Sequence, residues 1–505
     1  METANAKNPI IWADVPDISI VRVGHAYYMS STTMHMSPGL PIMKSEDLVH
    51  WKLVSYAYYT LGDQDALTLN HGKNAYGKGS WASSIRYHNG IFYVSTFSST
   101  TDKTYIFSTP DPEKTPWQEI SFSPAYHDHS LIFDEDGRIY LAAGSGDIRL
   151  IELQADLSGP KPGGMDLMIV PDASKVAGDQ ISLPAEGSQM FKVGRKYYLC
   201  NITWPRDGIR TQIIHRADKI GGPYEGRIML QDKGVAQGGI VDTPDGRWYA
   251  YLFQDHGAVG RIPFLAPLAW DEGWPVVGVE GKVPETLDIP VAKGSLVGIV
   301  TSDEFDREPG DNTLPLAWQW NHNPDDRNWS LTKQPGRLRL TTGRVDDVVT
   351  QARNTLTQRA FGPECSGTTL LEVGGMKDGD CAGLIALQNQ FGFVGVRMGA
   401  GAKSIVMVSA ENSSPVEVMR VPLSQDHVFL RIECDFKDMV DTAYFFFSLD
   451  GNIWKSIGKP HRLRYDLVHF MGCRFGLFNY ATHSEGGYVD FDFFRIDDRL
   501  TGSEQ

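Results

Sequence analysis

Five times in its first 285 residues the chain repeats one short pattern: a glycine turn followed by an aromatic pair or an aromatic–aliphatic alternation. The pattern reads "RVGHAYYMS" (22–30), "YHNGIFYVS" (87–95), "DEDGRIYLA" (134–142), "KVGRKYYLC" (192–200) and "TPDGRWYAY" (243–251). Gly24, Gly90, Gly137, Gly194 and Gly246 fall 66, 47, 57 and 52 residues apart. Glycine after Asn or Asp signals a hairpin, because such turns need positive φ. A short apolar strand precedes each turn: "ISIVRV", "SSIRYH", "SLIFDE", "SQMFKV" and "GGIVDT". Five units, each with room for about four strands, predict a five-bladed β-propeller. The competing reading is an irregular all-β array.

The repeat stops after "GWPVVGVEGK" (273–282). From Trp318 short alternating strands resume, as in "GRLRLTT" (336–342), "VFLRIEC" (428–434) and "TAYFFFSLDG" (442–451). That pattern predicts an antiparallel β-sandwich. The expected chain is therefore all-β, with a propeller over residues 1–290, a linker over 291–317 marked by "REPGDN", and a sandwich over 318–500.

Composition narrows the partners. A net charge of −15 argues against nucleic acid and anionic membrane surfaces, which are bound through Lys and Arg. No 18-residue apolar run is present, so no membrane-spanning segment is expected. Cys200, Cys365, Cys381, Cys434 and Cys473 are odd in number and lack any CxxC spacing, so they read as buried thiols. The N-terminus "METANAKNP" has no h-region. The compartment stays open: cytoplasmic, or periplasmic or secreted after removal of a signal peptide.

In a propeller the innermost strands of all blades start at one end of the central channel, so residues just before them converge. Counting back from the repeat glycine places Asp17, Asp128 and Glu186 at 7, 9 and 8 residues. Blade two offers Trp81 and blade five Gln237, each 9 residues before its glycine. The bland reading is that each acid caps a turn. Three acids in register beside an aromatic are costly unless chemistry needs them, because like charges push at least one pKa upward. Glycoside hydrolysis needs such a pair, one group to protonate the leaving oxygen and one to activate water or attack. Asp14, three residues before Asp17, has no counterpart in the other blades and reads as a turn or entry-loop residue. No HExxH, P-loop or GxSxG competes.

At these residues the chain resembles glycoside hydrolase family 43, the five-bladed β-xylosidases and α-L-arabinofuranosidases. The resemblance rests on "NPIIWADVPDISIVRVG" (8–24), "PGLPIMKSEDLVHW" (38–51), "GSWASSIRYHNGIFYV" (79–94), "HDHSLIFDEDGRIYL" (127–141), "AEGSQMFKVGRKYYL" (185–199) and "GAVGRIPFLAPLAWDEGWPVVG" (257–278). Residues from about 318 to 498 resemble the concanavalin-like sandwich that often follows this propeller. The resemblance implies that Asp17 in "PDIS" is the general base, Glu186 in "AEGS" the general acid, and Asp128 the group that orients the acid and sets its pKa. It implies inversion of configuration by a single displacement. Arg261 in "VGRIP" resembles an arginine that reaches sugar hydroxyls, Trp81 an active-site tryptophan, and His35 and Met36 a loop forming a pocket wall.

One departure concerns metal. The family often carries a hub histidine that holds calcium through waters, and here that slot is Gln237. His256 is the substitute candidate, against the reading of a hydrogen-bonded core histidine, so a structural Ca2+ is possible but no cofactor is required. The sandwich is expected to narrow the pocket through a loop sought around 473–487. The expected function is exo-acting hydrolysis of terminal α-L-arabinofuranosyl or β-D-xylosyl units from plant hemicellulose oligosaccharides or polysaccharide side chains. The alternative is a non-catalytic glycan-binding propeller and sandwich.

Overall fold

The computed structural model describes residues 3–292, 298–412 and 414–502. The first half is a five-bladed propeller, each blade a four-stranded antiparallel sheet; the strands of a blade are consecutive in the chain except in blade one, where Met36–Ser37 is set aside for another sheet. The innermost strands are Ser19–Val23, Ser84–His88, Ser130–Phe133, Ile181–Val193 and Ala236–Asp242. All five repeat glycines lie in the turn after the innermost strand, at φ between 60° and 85°. The turns differ in length, however. Val23 pairs Ala26, whereas Phe133 pairs Ile139 and Asp242 pairs Trp248.

A ring of hydrogen bonds sets the true register of the blades. Ser19 Oγ accepts from Ile85 N at 3.1 Å, Ser84 Oγ from Leu131 N at 3.2 Å, and Ser130 Oγ from Met190 N at 2.9 Å. Gln189 takes the next place, its Oε1 3.0 Å from Ser19 Oγ, and Gly239 the last. At Gly239 an added Cβ would lie 2.6 Å from the Tyr251 hydroxyl, which fills the space. These groups are buried, so each bond satisfies a donor that would otherwise cost about 1–3 kcal/mol. Arg86 runs through the ring, donating to Ser130 Oγ (2.7 Å), Met190 O (3.1 Å) and Ile85 O (2.6 Å).

Apolar side chains fill the seams between blades. Ile42 and Phe107 belong to one cluster, Ile106 and Leu141 to the next, then Leu150 and Leu199, then Cys200 and Leu252. The closing seam between blades five and one is different: Ile20, Tyr251 and Ile262 share one cluster with Trp320 and Phe475 of the sandwich. The backbone closes the ring here too. Thr3–Lys7 pairs Thr286–Ala292, Asn8 bonds both N and O of Leu265, and Val15 N donates to Arg261 O.

The second half is the expected antiparallel sandwich. One sheet runs in the order Val416–Leu423, Ala402–Ser409, Gly392–Gly399, Asp380–Leu387, Arg474–Ala481, Leu356–Arg359, Gln319–Asn321 and Met36–Ser37. Its last strand comes from the propeller, with Met36 opposite Asn321 and Ser37 opposite Trp320. The other sheet is built on Tyr488–Asp497, Glu364–Glu372, His427–Asp435 and Thr442–Ser448.

The expected linker needs correction. Residues 293–297 lie outside the described residues. Residues 299–305 are packed on the sandwich, with Ile299 and Phe305 buried and Asp303 exchanging both backbone bonds with Phe494, whereas 306–316 are exposed or half-buried. The five cysteines are buried, free thiols, as expected. Among the described residues no helix is long and apolar enough to cross a membrane.

Because a propeller segment completes a sandwich sheet and the closing seam shares its core, the propeller should not stand alone. Residues 1–292 expressed by themselves are expected to be insoluble or to lose their cooperative melt. A soluble fragment melting at the temperature of the whole chain would contradict this. Asp14→Ala, which unpairs two buried backbone donors described below, is expected to lower stability by about 2–4 kcal/mol, read from denaturant midpoints.

Candidate active site

The register fixed by the serine ring makes Asp17, Ala82, Asp128, Gly187 and Gln237 equivalent, each two residues before Ser19, Ser84, Ser130, Gln189 and Gly239. Asp17, Asp128, Gly187 and Gln237 share left-handed backbone, with φ of 53°, 44°, 65° and 56°. This corrects the count from the glycines. Glu186 and Trp81 each stand one residue before the position that Asp17, Asp128 and Gln237 share. Unequal turn lengths had masked the offset. Glu186 sits where the pairing of Ile181–Val193 with Lys196–Pro205 shifts register on both sides of it, and such bulges re-aim side chains. Gly187 is required: a Cβ there would lie 2.8 Å from the Gln237 side chain.

Asp17, Asp128, Glu186, Gln237, Trp81 and Arg261 all line one pocket of about 400 Å³. Asp17 is buried and bound on two sides. Arg261 Nη1 lies 3.0 and 3.1 Å from its two oxygens, and Gln237 Nε2 donates to Oδ1 at 2.9 Å. Burial raises its pKa; the Arg261 charge opposes this, and Asp14 and Glu186 add to it. Asp128 Oδ2 accepts from Gly187 N at 2.9 Å. Burial pushes its carboxyl up to about 7, with His127 pulling down and Glu186 and Asp17 pushing further up. Glu186 Oε2 lies 3.0 Å from His127 Nε2. Trp81 Nε1 and Arg261 Nε and Nη2 are buried donors without a hydrogen-bond partner among the described residues.

The sandwich supplies one wall. Phe470 lies with its ring 4.4 Å from the Arg261 guanidinium and 5.5 Å from the Trp81 ring, and Leu467 lines the pocket beside it. The expected contribution of the sandwich is therefore present, but its residues precede the 473–487 segment, where Arg474–Ala481 is a fully buried core strand. Asp14 positions this wall. Its Oδ1 accepts from Arg261 N at 2.8 Å and its Oδ2 from Gly472 N at 3.0 Å. It is a buried clamp rather than an entry-loop residue.

His35 and Met36 do not reach the pocket. Met36 is in the sandwich sheet, and His35 is buried against Asn321, His322, Tyr76 and His469. The loop that carries them was recruited by the sandwich, whose unpaired sheet edge needed a partner strand. His127, Trp204, Arg210, Leu467 and Phe470 were missed by sequence reasoning. Of these only His127 carried a signal, its adjacency to Asp128.

The hub side chains do not fit a calcium ion. Calcium takes 6–8 oxygen ligands, but the Arg86 guanidinium, itself a cation, already bonds the ring oxygens Ser130 Oγ, Met190 O and Ile85 O. His256 stands edge-on to Trp12 at 5.8 Å, its Nδ1 3.4 Å from Gln254 Oε1, as a packed histidine would. His127, Asp128 and Glu186 bring donor atoms within 4.8 Å of one another.

Comparisons with known proteins assign both halves of the chain to known domain families. Residues 6–275 match the family model described as glycosyl hydrolases family 43, and residues 302–497 match the β-xylosidase C-terminal concanavalin A-like domain. A putative β-xylosidase of Xylanibacter ruminicola is 33% identical over 378 residues, 71% of this chain and 68% of that protein. A non-reducing end α-L-arabinofuranosidase of Bacteroides ovatus is 31% identical, over 66% of this chain and 64% of that protein. Among solved structures, a bifunctional GH43-CE protein of Bacteroides eggerthii superposes with a TM-score of 0.97 at 58% identity, over 99% of this chain. This chain spans 64% of the length of that bifunctional protein.

Chelation with EDTA and addition of calcium are both expected to leave melting temperature and turnover unchanged. Arg86→Met, which strands the ring acceptors, is expected to lower the melting temperature, costing about 2–3 kcal/mol. A melting temperature that rises with calcium would count against a hub held by Arg86.

Proposed function

The chain belongs to glycosyl hydrolases family 43, and from that premise we propose that it is an inverting, exo-acting glycoside hydrolase. It removes a terminal α-L-arabinofuranosyl or β-D-xylosyl unit from hemicellulose oligosaccharides or side chains. The observation that carries this reading is the unequal treatment of two carboxylates in one small pocket. Asp17 is buried and clamped by Arg261, while Glu186 is partly exposed and, among the described residues, its carboxyl bonds His127. Environments that differ in this way separate a base from an acid.

In the proposed reaction Asp17 takes a proton from a water, and that water attacks the anomeric carbon from the face opposite the leaving group. Glu186 gives its proton to the leaving oxygen as the glycosidic bond breaks. Burial of Asp17 raises its basicity, and the Arg261 charge opposes its protonation. Asp128, bonded to the Gly187 amide next to Glu186, holds the acid's backbone in place and repels a negative charge on it. The unpartnered Nε and Nη2 of Arg261 and the Nε1 of Trp81 are donors for sugar hydroxyls, which a buried site needs for specificity. Phe470 and Trp81 supply the apolar faces.

Relatives carry xylosidase and arabinofuranosidase names alike, and both pentoses remain in the proposal. A purely glycan-binding role finds no support in the site, because binding a neutral sugar does not require three carboxyls converging in one pocket, with Asp17 and Asp128 both held above the usual carboxylate range.

Asp17→Asn is expected to lower kcat by roughly 10²–10⁴-fold on pentosyl oligosaccharides, and Glu186→Gln similarly, with KM little changed. Proton NMR of the first-formed sugar should show the inverted anomer. Retention would rule out single displacement. Asp128 adds a test on stability. Its folded pKa, about 7, lies above the unfolded value near 3.9. Ionising it in the fold is thus a cost that appears as pH rises above about 4 and is complete above about 7. Asp128→Asn is expected to raise the melting temperature at pH 7.5 more than at pH 4, while abolishing most activity. A uniform shift, or a loss at pH 7.5, would contradict it.

A further inference from the structure

His127 has no part in the reaction as written, yet it is the immediate neighbour of the acid. Its Nε2 lies 3.0 Å from Glu186 Oε2 and 3.9 Å from Asp128 Oδ2. The ring stands edge-on to Phe97 at 5.2 Å, and its backbone carbonyl accepts from Gly144 N, so the imidazole is held in place. The side chain of His127 is 41% exposed, against 23% for Glu186 and 6% for Asp128. Of the three groups, the imidazole is the one that reaches water most freely. Asp128 and Glu186 are the charged groups that face it. His129, two residues on, is turned away with its Nδ1 2.9 Å from Tyr126 O.

An inverting hydrolase ends every turnover with its acid deprotonated and its base protonated, and both must be reset. We infer that His127 resets Glu186, passing the proton on its Nε2 to Glu186 Oε2 and taking another from solvent. This rests on the reading of Glu186 as the acid. The balance closes in one cycle. The imidazolium Nε2–H bond breaks as the Glu186 O–H bond forms, and that proton leaves on the departing sugar oxygen. The attacking water's proton goes to Asp17 and then to solvent, and the neutral imidazole is recharged from water.

The electrostatics fit a reservoir of this kind. Burial works against the imidazolium, but the hydrogen bond to Glu186 and the negative charges of Asp128 and Glu186 outweigh it and push the ring up to about 9. In the free enzyme the imidazole therefore holds its proton at neutral pH. A sugar entering the pocket removes water from the pair, which favours the neutral imidazole and neutral carboxylic acid over two charges. His127 is thus a positioning residue that acts through Glu186 and sets when the acid is loaded.

The test compares leaving groups. His127→Ala and His127→Asn would be assayed on a pentosyl oligosaccharide, whose leaving group needs an acid, and on the 2,4-dinitrophenyl pentoside, whose leaving group does not. The expected result is a kcat loss of roughly thirtyfold on the oligosaccharide against less than about threefold on the aryl glycoside. The alkaline limb of the oligosaccharide pH profile should move to lower pH, and added imidazole should restore part of the His127→Ala rate. Equal losses on both substrates, or an unmoved alkaline limb without imidazole rescue, would overturn the inference. Glu186→Gln run beside them separates the two readings. If it lacks the leaving-group pattern, the acid assignment fails; if it shows the pattern and the His127 variants do not, only the relay fails.

Discussion

The ion pair between Arg261 and Asp17 is the interaction on which the pocket depends. Both side chains are nearly excluded from water, at 3% and 5% exposure. Removing two such charges from water is expensive, and the attraction repays it only with close geometry and further hydrogen bonds. Those bonds are present: Gln237 on Asp17, Asp14 on the Arg261 backbone, and the Phe470 ring over the guanidinium. The pair also joins blade five to blade one, beside the backbone pairing of Thr3–Lys7 with Thr286–Ala292. The same contact therefore holds the ring shut and orients a proposed base.

That junction draws the second domain into the site. The closing seam shares its apolar cluster with the sandwich, and Asp14 spans from Arg261 N to Gly472 N. Gly260 and Gly472 leave room for it, since a Cβ at either would fall within 2.6 Å of the Asp14 side chain. Two residues before Gly472, Phe470 reaches the pocket. The sandwich is thus coupled to the carboxylate cluster through a few buried contacts rather than resting beside the propeller.

Much of the architecture was legible in the sequence, because hairpin turns and alternating strands are local. The five glycine turns marked five blades, and Asp17, Asp128 and Glu186 were found because blades repeat. The finer register was misjudged for an equally local reason. A two-residue turn and a five-residue turn both contain a glycine, so counting from it cannot tell Glu186 from Gly187. His35 and Met36 were misplaced because a strand joining a sheet of a distant segment leaves no local trace.

The sequence by itself determined the fold class, the blade count and which carboxylates stand at the channel mouth, all consequences of short-range periodicity. Only the tertiary structure decided that Arg86 fills the hub, that Phe470 and Leu467 wall the pocket, and that His127 bonds to Glu186. Each of those pairings joins residues far apart in the chain, and what selects them is burial: a guanidinium, a carboxylate or an imidazole removed from water takes whichever partner the packed fold brings within reach.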